Sequence, residues 1–294
     1  MVTRYLAFSC FVVTSLTALS GCAPHFTRSS SSAPLTEIIE PIKESRQLSQ
    51  KTPLTLPASV AIITLPSKMS YGNIVPDTTL RQAAEKLKQQ ILAYPKYVGS
   101  VSVVTEDDIK AKISLEKIRA IYNADIAVIL SHQQDQRSNQ SGAAGLMDIT
   151  IIGMFLVPGV EINTYSIIDG KVIHIPSNAI IFRASGTDER STHCTTHSVY
   201  NTATEESINS ILAATTDFGN SLTKSLSKFD NFDLSQATPA SVLTSGNPTA
   251  DIQGKPANDY WEKVDKFKST GGGAFGIIPL LFSAAVCCAA WRRK

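Results

Sequence analysis

The sequence predicts an α/β fold, one domain built on a single mixed sheet with flanking helices. Three observations lead to it. Short apolar runs alternate with helical periodicity between residues 59 and 130. Three extended runs follow one another between residues 146 and 185. A long amphipathic stretch from about Thr204 to Phe229 then closes the region.

The run Ser59 to Leu65, ending at Pro66, has the length and apolarity of a buried strand. Leu80, Ala84, Leu87 and Ile91 recur at helical spacing, with Asp77 as N-cap and Pro95 beyond the end. Val101 to Thr105 reads as a second strand, Leu115, Ile118 and Tyr122 as a short helix, and Asp125 to Leu130 as a third strand. Strand, helix, strand, helix, strand is the order that builds a helix-covered sheet. Leu146 to Val157, Glu161 to Ile168 and Asn178 to Ser185 then read as consecutive strands, with hairpin turns at Pro158-Gly159 and Asp169-Gly170. Both faces of the Glu161 strand mix polar and apolar residues, which suits a sheet edge. The polar stretch Gly186 to Thr204 reads as a loop. In the closing helix, Ile208, Ile211, Leu212, Thr215, Phe218, Leu222 and Leu226 keep one stripe apolar. This element order resembles the envelope α/β domains of curli-secretion lipoproteins and of the amino terminus of TolB.

The two ends carry the sharper signals. Met1 to Gly21 has one positive charge, at Arg4, then an apolar run from Leu6 to Leu19 too short to span a bilayer, then Leu19-Ser20-Gly21-Cys22. That ending resembles the bacterial lipobox. The resemblance implies cleavage between Gly21 and Cys22 by the lipoprotein signal peptidase and lipid attachment to the Cys22 thiol by the lipoprotein-processing enzymes. Several acyl chains at about 0.8 kcal/mol per buried methylene make a firm membrane anchor. Ala23 follows the cysteine where an aspartate would signal inner-membrane retention, so the resemblance points to the outer membrane.

At the other end, Gly271-Gly272-Gly273 leads into an uncharged stretch, Ala274 to Trp291, and then Arg292-Arg293-Lys294. As a helix that stretch would be roughly 27 Å long, barely a bilayer core. Gly276, Pro279 and the pair Ile277-Ile278 weaken it as a helix. Glycine cluster, apolar span and basic end resemble the GlyGly-CTERM sorting signal. With the lipobox, they make the chain similar to the rhombotarget lipoprotein family. The resemblance implies that a rhombosortase-type protease removes the tail near Gly271-Gly272 for surface display. A tail retained as a permanent anchor is the alternative.

The resulting organisation is a signal peptide over 1–21, a flexible Ser/Thr/Pro-rich tether over 22–57 with a short helix around Leu35 to Gln47, and the domain over 58–233. A linker over 234–270 and the sorting signal over 271–294 complete it. Loss of Arg4, Arg292, Arg293 and Lys294 takes the basic count from 27 to 23 against 25 acids, leaving a mature charge of about −2. With no basic stripe interleaved with aromatics, nucleic-acid binding has no support. Of the five cysteines, Cys10 lies in the signal peptide, Cys22 is the lipid site, and Cys287 and Cys288 lie in the tail. Only Cys194 is left in the body, so the fold depends on its core rather than on internal disulfides.

Little in the body points to chemistry, to a cofactor or to a metal. His193-Cys194-Thr195-Thr196-His197 could supply zinc ligands or a thiol nucleophile. A structural zinc site wants four ligands, and His25, His132 and His174 are the other histidines. Glu106-Asp107-Asp108 reads as acids complementing a helix start rather than as a cation site. Ser138 to Gly145 lacks the lysine and glycine spacing of a phosphate loop and reads as a flexible hairpin or crossover. Tyr260 and Trp261, within Asp259 to Lys268, suit a small amphipathic helix or a solvated spacer. The expected function is that of a non-enzymatic envelope lipoprotein. The alternatives are a secretion or assembly accessory that binds a protein partner, and an enzyme or metal site around Cys194.

Overall fold

The computed structural model describes residues 26–40, 54–68, 75–109, 112–140, 153–226 and 238–240. They form the expected α/β fold: one mixed sheet with helices on both faces. Its strands are β1 (Thr27–Ser31), β2 (Ala58–Thr64), β3 (Val98–Val103), β4 (Ile126–Gln140), β5 (Val160–His174), β6 (Ala179–Cys194) and β7 (Thr238–Pro239). The order is β3-β2-β4-β5-β6-β7, with β1 also on β4. Strand β2 is parallel to β3 and β4; the other pairs are antiparallel.

The helices are α1 (Leu35–Ile38), α2 (Asp77–Leu92), α3 (Glu106–Ile109), α4 (Leu115–Tyr122), α5 (Gly153–Leu156) and α6 (Val199–Leu226). Alternation along the strands decides which helices cover which face. Val60, Ile62, Ile126, Val128 and Leu130 point to one face and pack with α2 and α6 through Leu87, Ile91, Ile211, Phe218 and Leu222. Ala61, Ile63, Ala127 and Ile129 point to the other and pack with Leu35 of α1, Ile109 of α3 and Ile118 of α4. Ser114 caps α4, its Oγ accepting from Lys117 N at 3.2 Å, and Asn123 ends the helix in the left-handed conformation (φ 50°).

Strands β4, β5 and β6 are each 15 or 16 residues long and form one antiparallel meander. Along β4, the half from Ile126 pairs with β2, and the half to Arg137 pairs with β1. The domain therefore has two ends about 40 Å apart, from the dozen residues between Ile126 and Ser138 at about 3.3 Å each. Phe26 is hydrogen-bonded to Ser138 at one end. Ala240, whose N–H donates to Asn178 O at 2.7 Å, stands at the other.

Several expectations need correction. Asp169-Gly170 is not a hairpin turn but the middle of β5; the turn is at Ile175–Asn178, where Asn178 N donates to Ile175 O. Strand β5 is not an edge, since β4 and β6 flank it and nearly all its side chains are buried. The stretch Gly186 to Thr204 is not a loop: β6 runs on to Cys194, and α6 starts at Val199. The third strand continues past Leu130 to Gln140, so Ser138–Gln140 is strand rather than a flexible loop. The described part of the expected tether is ordered. Thr27–Ser31 pairs with β4, and Leu35 and Ile39 are buried. The expected helix from Leu35 is a single turn as far as Ile38. Pro76, not Asp77, occupies the N-cap of α2. The part of Leu146–Val157 that is described contains the helical turn Gly153–Leu156. In the expected linker, Thr238–Pro239 pairs with β6 and Ala240 is buried.

Candidate functional site

Cys194 and the two histidines beside it do not converge. Neighbouring residues on a strand point to opposite faces, so His193 is exposed while Cys194 turns inward. There the thiol lies among Val160, Ile162, Val199 and Ala203. Burial pushes its pKa above the usual thiol value, with smaller opposing effects from the Thr202 and Ser198 hydroxyls. The thiol is thus kept protonated, the opposite of what a nucleophile needs. His197 is exposed, with its ring centroid 4.4 Å from that of Phe155. Among the described residues, no three His, Cys, Asp or Glu side chains are grouped to share a metal ion. Asp108 accepts hydrogen bonds from the Thr105 hydroxyl at 2.5 Å and from the Tyr122 hydroxyl, which together lower its pKa. The carboxylate ties α3 to α4.

Polar residues concentrate where the sequence gives no chemical motif. Past Leu130, the residues of β4 that face α6 are His132, Gln134, Gln136 and Ser138, all buried. Gln134 Nε2 donates to Ser166 Oγ at 2.7 Å and to Ser207 O at 2.9 Å, while Ser207 Oγ donates to Gln134 Oε1 at 2.5 Å. Gln136 Nε2 donates to Thr164 Oγ1 and to Ala203 O. Each glutamine ties β4 to β5 and to the α6 backbone, replacing apolar packing with hydrogen bonds that burial makes costly to break. On the outer side of the same helix, Arg190 of β6 meets Asp188 at 2.7 Å and Glu206 at 3.2 Å.

His132 sits where β4 exchanges β2 for β1. Its Nδ1 is 2.8 Å from Ser32 Oγ, and its Nε2 is 3.3 Å from Ser67 Oγ and 3.4 Å from Ser30 Oγ. Its backbone N–H also donates to Ser32 Oγ. Burial lowers the imidazole to a pKa of about 4, so it is neutral near pH 7. Seryl hydroxyls beside an imidazole suggest nucleophile and base, but this group is enclosed. Its geometry is that of a fastener between β1, the end of β2 and β4. From Ser131 to Gln140 every residue is polar, so the sequence carries no alternation that would mark the inward side chains.

Two surface features remain. A narrow apolar cleft of about 20 Å³, partly open to solvent, lies at the Ile126 end between the sheet and the last turns of α2 and α6. Val60, Tyr97, Val98, Phe182 and Leu226 help to line it. At the opposite end stands a group of aromatic and apolar side chains. The rings of Phe26 and Tyr200 stack at 6.1 Å, and the Arg28 guanidinium lies 4.5 Å from the Phe26 centroid and 5.2 Å from that of Tyr200. Beside the start of α6, α5 presents Phe155 and Leu156 to solvent, 48% and 71% exposed.

The expected cleavage and lipid residues Gly21 and Cys22 lie outside the described residues, as do Gly271, Gly272, Gly273, Arg292, Arg293 and Lys294. The same holds for Tyr260 and Trp261 and for residues 141–145. Among the described residues, no helix is long and apolar enough to cross a membrane.

No family model matches the chain. No curated protein matches it either. Among solved structures, the chain is similar to the PelC dodecamer from Paraburkholderia phytofirmans, at 11% identity and a TM-score of 0.28, covering 66% of this chain and 97% of that one. A dodecamer of a PelC variant from the same organism gives 11% identity and 0.27, covering 66% and 98%. At these values the likeness assigns no function.

Proposed function

We propose that the chain is a bacterial cell-envelope lipoprotein of the rhombotarget kind, lipidated on Cys22 and trimmed by a rhombosortase-type protease near Gly271. Its domain acts without catalysis at the outer membrane or cell surface. The observation that carries the reading is the pairing of lipobox, Leu19-Ser20-Gly21-Cys22, with the Gly271-Gly272-Gly273 signal on one chain. The domain's plan is compatible with both. Phe26, the first of the described residues, is the fourth residue after Cys22. From Ala240, the 31 residues to Gly271 can extend about 105 Å, enough to bring the second signal back to the same membrane. The protonated, buried Cys194 and the enclosed His132 group support a non-catalytic role.

Two labels test the reading together. An alkyne fatty acid fed to the cells marks the wild-type protein and not Cys22→Ser. An epitope placed after Lys294 disappears from the mature protein and persists when Gly271 and Gly272 are replaced by bulky residues. Equal fatty-acid labelling of Cys22→Ser and wild type would remove the first half; an epitope retained on the wild-type protein would remove the second.

A second reading, an accessory that binds a protein partner, draws on the apolar cleft beside Tyr97 and Phe182. A photo-crosslinker at position 97 would then capture one reproducible partner in cells, and capture of none would discard it.

A further inference from the structure

We infer that the end of the domain carrying Phe26, Arg28, Phe155, Leu156 and Tyr200 rests in the headgroup region of the lipid bilayer, so that the domain stands with its long sheet rising from the membrane. The inference deepens the lipoprotein reading and rests on acylation of Cys22.

Chain length is the first reason. Phe26 is the fourth residue after Cys22, a step of at most about 14 Å of extended chain. Phe26 is not the loose end of a tether. Its N–H donates to Ser138 Oγ at 2.9 Å, its carbonyl accepts from Ser138 N at 3.0 Å, and β1 continues along β4 from Thr27. The His132 group fastens the far end of β1 to the sheet. A lipid held in the membrane at Cys22 therefore holds this end of a rigid sheet within about 14 Å of the bilayer. The end with Ala240 is placed far outside.

The chemistry of that end is the second reason. Leu156 is 71%, Tyr200 57% and Phe155 48% exposed; Phe155 and Leu156 lie on α5, which meets the turn just before α6 through Phe155 and His197, and Tyr200 lies in the first turn of α6. Water-exposed Phe and Leu beside a Tyr and an arginine suit the bilayer interface, where aromatic rings favour the headgroup level and a guanidinium meets lipid phosphate. Arg28 is held over two rings, with its charge next to the apolar surface. The opposite end also exposes apolar side chains, Leu92 and Tyr94. It has no lipid beside it, and it serves as the control.

A single tryptophan introduced at each end in turn tests this in the full, lipidated chain. With Trp261→Phe and Trp291→Phe as background, Leu156→Trp and Tyr94→Trp are compared in phosphatidylethanolamine–phosphatidylglycerol vesicles whose acyl chains are brominated near the headgroup. Both positions are exposed, so neither indole disturbs the core. Mass spectrometry of the same samples records acylation of Cys22. We expect the emission of the Leu156→Trp protein to shift to shorter wavelength and be quenched by bromine, and that of the Tyr94→Trp protein to do neither. Acylated Leu156→Trp protein that is not quenched, or quenching of both variants alike, would overturn the seating while leaving the lipoprotein reading intact. Protein without acyl chains would overturn the lipoprotein reading and the seating with it.

Discussion

Replacing Gly186 by Ala adds one carbon at a point where the backbone of α6 lies directly against β6. A Cβ there would stand 2.1 Å from Phe218 N, 2.3 Å from Ala214 O and 2.7 Å from Phe218 Cα. Ordinary contacts between such atoms lie near 3.5 Å. All three obstacles are helix backbone, so no rotamer change relieves them. Helix α6 must retreat by about 1 Å or more, and the contacts of Ile211, Ala214, Phe218 and Leu222 with the sheet loosen together. Overpacking costs typically 1–3 kcal/mol, and an obstacle made of backbone puts this case near the top, at about 3 kcal/mol. For a domain of this size that is a fall in Tm of roughly 6–12 °C. Gly219→Ala is the matched control. Its Cβ would meet Gln90 Oε1 at 2.1 Å and Gln90 Cδ at 2.8 Å, atoms at the free end of a side chain. Swinging that end away gives up the 3.5 Å bond to Thr216 O, while alanine gains about 1 kcal/mol over glycine in a helix interior. Gly219→Ala should therefore be neutral or slightly stabilising. Thermal and urea unfolding of both full-length variants by circular dichroism, in one detergent, decides. A Gly186→Ala protein within about 0.5 kcal/mol of wild type would refute the close packing of α6 on β6.

Three further outcomes follow from the buried polar groups. His132 has its folded pKa lowered from 6.5 to about 4, so the unfolded chain takes up its proton first as pH falls. Stability should be full above about pH 6.5 and fall by about 3 kcal/mol on the way to pH 4, and urea titrations should show His132→Gln losing most of that slope. Gln134→Leu removes the bonds that Ser166 Oγ, Ser207 Oγ and Ser207 O make with the amide, while Ser166 keeps Ser210 as a donor, and should cost about 1–3 kcal/mol. Combining it with Ser207→Ala should cost clearly less than the sum of the two, and strict additivity would disprove the network. Cys194 is buried with a raised pKa, so in a Cys287→Ser, Cys288→Ser background a thiol reagent should label the native protein slowly and the unfolded protein rapidly; equal rates would place the thiol at the surface.

Much of the fold was legible because apolar periodicity reported it. The inward residues of β2 and α2 are apolar, and so is the α6 stripe from Ile211 to Leu226, and these elements lie within a few residues of expectation. The extended half of the meander was not legible for a physical reason. Its inward residues are Gln134, Gln136, Ser138, Thr164 and Ser166, hydrogen-bonded to partners distant in sequence, so they carry no hydrophobic signal. Gly170 reads as a turn residue beside Asp169, yet its lack of a Cβ makes room for the Phe218 ring inside a strand. The serines of β1 read as tether because an edge strand on a polar partner needs no apolar pattern. Of the candidate site, the residues proposed for anchoring and sorting, Leu19 to Cys22 and Gly271 to Gly273, are contiguous and so stand out in the sequence. Phe26 and Arg28 meet Tyr200, and Phe155 meets His197, so three distant parts of the chain share one end, and only the fold brings them together.

The most direct test of the central claim is intact and peptide mass spectrometry of the protein extracted from its own membranes. The account predicts a mature chain that begins at an acylated Cys22 and ends near Gly271. A chain that still ends at Lys294 would contradict the processing of the tail, and a Cys22 without lipid would contradict the anchor itself.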